Sequence, residues 1–75
     1  MIKLEDEILF LAFRYALGRK TSVTFTVSDA IIKNWEVLSI HFQYLIQKEI
    51  AVAINEGRAG MQMDIEQWER ILKLE

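Results

Sequence analysis

The residues with most chemical potential in this chain lie close together: Arg14, Tyr15, Gly18, Arg19, Lys20 and Thr21. On a helix, Arg14 and Gly18 are four apart, so Arg14 lies over the turn that leads to Arg19. Two guanidiniums, a phenol and a hydroxyl can converge there. Arginine forks match carboxylate or phosphate oxygens, and tyrosine can stack on a base. One reading is a binding site for an acidic protein surface or a nucleotide-like anion. The other is structural. Gly18 closes a helix, its flanking bases suit the helix dipole, and the cations pair with Asp29, Glu36 or another acid of the chain.

Elsewhere the residue types do not assemble into a reaction. His41 is the single histidine, and with no cysteine in the chain it has no companion for a metal. Near the start of a helix it reads as an ordinary, partly exposed side chain. Glu5, Asp6 and Glu7 read as solvated partners of a helix start rather than as a catalytic pair. Ser22, Ser28 and Ser39 lack a serine–histidine–acid framework, and Gly18 alone falls far short of a phosphate loop. Met61 and Met63 flank a loop and are expected to pack on the end of the bundle. No catalytic residue, metal ligand or cofactor is expected, and the chain reads as a non-enzyme.

The element that must position the arginine cluster is the stretch Ile8 to Arg19. Nine of its first ten residues are apolar or aromatic. Leu4, Ile8, Leu11 and Tyr15 make one stripe at helical spacing. Leu9, Ala12, Phe13, Ala16 and Leu17 make a second, and Phe10 lies off both. A helix apolar on so many faces must be covered on most sides, as a central core helix or by another copy of the chain.

The rest of the chain reads as three further helices. Ser22 to Ser28 alternates polar and apolar with β-branched residues, the pattern of a half-buried strand. Val23, Val27, Ala30, Ile31 and Asn34 nevertheless follow a helical stripe, and a strand would have no partner within the monomer. Pairing across a dimer is the one exception. A helix over 22–35 is therefore expected, capped by Thr21 or Ser22. Ser39 caps a helix over 39–56, with Phe42, Leu45, Ile46, Ile50, Ala53 and Ile54 inward and Gln43, Gln47, Lys48 and Glu56 outward. Asp64 caps the last helix, 64–74, which buries Ile65, Trp68, Ile71 and Leu72. With the first helix over 4–17, the expectation is an all-α, four-helix single domain spanning 1–75.

Length, charge and composition narrow the class. Seventy-five residues sit near the size at which one core is marginally stabilising, so a sound helical core or self-association must supply stability. The net charge of −2 argues against a broad basic face for nucleic acid. The acidic opening is unlike a signal peptide, and the apolar run, broken by Arg14, is too short to span a bilayer. A soluble, cytoplasmic protein without membrane contact is expected.

The run F-R-Y-A-L-G-R-K-T at Phe13 to Thr21, followed by V-S-D-A-I-I-K-N-W at Val27 to Trp35, resembles a family of very small phage and prophage proteins. The I-Q-K-E-I segment at Ile46 to Ile50 and the tryptophan-bearing segment Asp64 to Leu74 extend the resemblance over nearly the whole chain. It implies a phage origin and an accessory, non-structural role such as anti-CRISPR activity. The recurring phrase includes Arg14, Gly18, Arg19 and Thr21.

Two classes of function follow. In the first, the protein binds and blocks a host defence or nucleic-acid-processing protein. In the second, a homodimer or higher homo-oligomer sequesters a nucleotide messenger through Arg14, Tyr15 and Arg19. A small transcriptional regulator is weaker, because the last two helices carry only Lys48, Arg70 and Lys73 to meet DNA. Direct DNA binding is not expected.

Overall fold

The computed structural model describes residues 3–19 and 21–75, and of Thr21 the backbone. Among them are four α-helices: α1 (Leu4–Ala16), α2 (Thr21–Lys33), α3 (Ile40–Asn55) and α4 (Gln62–Leu72), with a 3-10 turn at Trp35–Val37. The all-α four-helix architecture expected from the periodicity is the one found.

The segment with strand-like alternation is helical. Thr24, Ser28 and Ile31 form its buried line, with Val23 and Val27 half-buried beside it. Of the two small polar groups that face the core here, α4 answers Ser28, while Thr24 Oγ1 is buried without a hydrogen-bond partner. The amide of Gln67 donates to Ser28 Oγ at 2.8 Å and to Asp29 Oδ1 at 2.9 Å. Thr21 and Ser22 lie inside the helix rather than capping it. The helix stops two residues early, and Asn34, expected on its apolar stripe, is exposed. The Asn34 side chain donates to the Ala30 carbonyl at 2.7 Å, competing for an acceptor that the backbone also uses.

α3 forms as its pattern implies. Ser39 Oγ accepts from the Phe42 amide, while Phe42, Ile46, Ile50 and Ala53 are buried. Gln43 and Gln47 are not simply outward. Gln43 donates to the carbonyls of Trp35 and Leu38, and Gln47 to those of Ile71 and Leu74. Gln47 thereby caps carbonyls at the end of α4, that of Ile71 also accepting from the Leu74 amide. Asp64 lies inside the first turn of α4, where its carboxylate reaches back to the Met61 amide at 2.9 Å. Met61 and Met63 are exposed rather than packed on the bundle end, and Leu72 is partly exposed.

The buried cluster runs from Phe13 and Ala16 on α1 through Ile31, Ile46 and Ile50 to Trp68 and Ile71. Phe13 meets Trp68 edge to face at 5.4 Å, a favoured aromatic geometry. One acid is part of this framework. Asp6 is buried, and its carboxylate accepts from the Ser39 amide at 3.1 Å, tying α1 to the start of α3. Of the three acids read as solvated, Asp6 is not. No helix of the described residues is long and apolar enough to cross a membrane.

Candidate functional site

The main departure from the sequence pattern lies on α1. Its second stripe is covered as expected: Phe13 and Ala16 are fully buried, and Leu9 and Leu17 pack against the core, as does Phe10, which lies off both stripes. Its first stripe is not. Leu4, Ile8, Leu11 and Tyr15 are 67%, 59%, 66% and 61% exposed. α1 lies on α2 and α3 with one side and leaves the other uncovered. Open recesses flank this face. One, of about 530 Å³, includes Ile8, Leu9, Ala12, Val37 and Leu38; the other, of about 340 Å³, lies between Glu7, Phe10, Leu11 and Phe42.

The arginine cluster sits at the C-terminal end of this face. Gly18 takes a φ of +83°, the left-handed conformation expected past a helix end. A Cβ there would lie 2.6 Å from the Arg58 carbonyl oxygen, so the α1–α2 turn also needs glycine to approach the α3–α4 loop. Arg19 donates from Nε to the Tyr15 carbonyl at 3.0 Å, and its guanidinium lies 4.6 Å from the Tyr15 ring centroid. Arg14 is 6.0 Å from the Phe10 ring centroid. The two guanidiniums thus lie over different rings. Neither pairs with an acid among the described residues; Asp29 is engaged by Gln67 and Arg70 instead. The expected internal salt bridges are absent there. Lys20 and the Thr21 side chain lie outside the described residues.

No protein-family model, curated protein or solved structure matches the chain.

A second exposed apolar strip lies on α3. Ile40 and Tyr44, one turn apart, are 81% and 61% exposed, and the Lys48 ammonium lies 5.9 Å from the Tyr44 ring centroid. Sequence reasoning passed over this strip because the core stripe of α3 was already complete without it. The signal was the surplus itself: Ile40 and Tyr44 are apolar residues left over once the buried face is assigned. His41 is exposed beside them, its ring 5.5 Å from that of Phe42. Among the described residues no three His, Asp or Glu side chains gather as a metal site.

Proposed function

We propose that this chain is a phage-encoded, non-enzymatic accessory protein that binds and inhibits a host defence or nucleic-acid-processing protein in the host cytoplasm, in the manner of an anti-CRISPR protein. The phage origin and the class of target rest on the resemblance carried by Phe13–Thr21 and Val27–Trp35. The observation that favours binding is the Ile40–Tyr44–Lys48 strip on α3. An aromatic ring, a branched aliphatic side chain and a cation stand together on a regular helix. Aromatic anchors with apolar surroundings commonly dominate protein–protein binding energy. The nucleotide-sequestering alternative needs Arg14 and Arg19 on one anion, and their positions over separate rings make it the weaker reading.

The test is phage plaquing on cells whose CRISPR system targets the phage, with and without the chain expressed, followed by native mass spectrometry of the purified protein. Restored plaquing, lost in folded Ile40→Asp and Tyr44→Ala variants, is the expected result. Unchanged plaquing together with a retained nucleotide-sized mass would replace this reading with the sequestering one.

A further inference from the structure

The exposed face of α1 plays no part in the reading above, and its own symmetry says what covers it. Leu4, Ile8, Leu11 and Tyr15 fall within about 60° of one another around a helix that turns ~100° per residue. Leu4 and Tyr15 lie equally far from the midpoint of the stripe, and so do Ile8 and Leu11. A second α1 laid antiparallel across the first therefore sets Leu4 against Tyr15 and Ile8 against Leu11, each contact made twice. That is the self-complementarity an isologous two-fold interface requires.

The charges on one flank obey the same symmetry. Glu7 and Arg14 both lie about 70–90° to one side of the stripe. A two-fold axis places like flanks together, so Glu7 of one copy falls about 3 Å along the axis from Arg14 of the second. Within one copy they are two turns apart, and Arg14 has no ion pair among the described residues. A parallel pairing would instead place the two Glu7–Arg14 flanks on opposite edges of the interface, where Glu7 of one copy cannot reach Arg14 of the second. The four stripe residues expose roughly 500 Å² per copy, so covering them completely in the pair removes up to roughly 1,000 Å² from water, the lower end of specific interfaces. Val37, exposed beside Ile8 across the larger recess, extends it.

We propose that the uncovered face of α1 is a homodimer interface, in which two copies pack antiparallel through Leu4, Ile8, Leu11 and Tyr15 and exchange Glu7–Arg14 ion pairs.

Sedimentation of the full chain at roughly 100 μM, where a micromolar interface is nearly saturated, tests this. A species of twice the 8.8 kDa chain mass is expected, and Leu11→Glu should give a monomer with unchanged helical circular dichroism. Glu7→Arg and Arg14→Glu should each weaken association about tenfold, and the double variant should recover most of that loss. Orientation is read by oxidative cross-linking, since the chain has no cysteine of its own. Ile8→Cys should cross-link, its two copies lying ~5 Å apart along the axis; Leu4→Cys, at ~16 Å, should not. A monomeric wild type, a dimer indifferent to Leu11→Glu, or a charge swap without recovery would each overturn the proposal.

Discussion

At Gly18 two constraints coincide, and each alone would favour glycine. The backbone is left-handed, where a Cβ costs about 1–2 kcal/mol. The space a Cβ would fill is held by a backbone carbonyl, that of Arg58, which cannot rotate away as a side-chain tip can. Gly57 has the first constraint without the second, with a φ of +72° and nothing within 4 Å of the added carbon. The pair separates the two contributions. Gly57→Ala should lower stability by about 1 kcal/mol, whereas Gly18→Ala should lose about 3 kcal/mol once the displaced loop is included. In thermal unfolding, at about 4–8 °C per kcal/mol for a domain this size, the two variants should be well resolved. Equal losses would mean that the loop moves aside freely. The glycine of the Phe13–Thr21 run thus has a full structural role, while its neighbours Arg14 and Arg19 stand exposed with no acid partner among the described residues.

Between elements, the ties that set helix positions are mostly single polar groups reaching across long stretches of sequence. Asp6 on α1 accepts from the Ser39 amide, Gln67 on α4 donates to Ser28 on α2, and Gln47 on α3 closes the end of α4. Removing Asp6 leaves a part-buried N–H without its acceptor, so Asp6→Ala should cost about 1–3 kcal/mol. Glu5→Ala, one residue away but exposed, should stay within about 0.5 kcal/mol. Urea unfolding of both variants checks this, and matched values would show that the Asp6 tie contributes nothing. Such ties mark the limit of what the sequence discloses. Apolar spacing located every helix and the inward residues of α3, because a 3.6-residue period carries its own evidence along the chain. It did not show that Thr24 and Ser28 face inward, since the group that satisfies Ser28 comes from α4. Nor did it show which of the two stripes on α1 is covered. Both have the right spacing, and the choice depends on how α2 and α3 dock.

For the whole molecule, an uncovered apolar face on so short a chain links stability to association. A domain of this size buries a modest share of its surface, and its single core leaves little reserve. The described residues span 34 × 20 × 17 Å, so a face running along one of the four helices is a sizeable part of the exterior. If two copies pair through that face, unfolding must also separate them, and the thermal midpoint becomes dependent on concentration. Each tenfold rise in chain concentration adds about 1.4 kcal/mol per dimer. Set against an unfolding entropy of ~2.1 cal/mol/K per residue over two chains, this raises the midpoint by about 4 °C. Leu11→Glu should unfold at a midpoint that does not change with concentration, and below wild type at every concentration where wild type is paired. Calorimetry over a hundredfold range of concentration reads both slopes. A flat wild-type profile would mean that the monomer keeps its apolar stripe in water and draws its stability from the core between α1, α2, α3 and α4 alone.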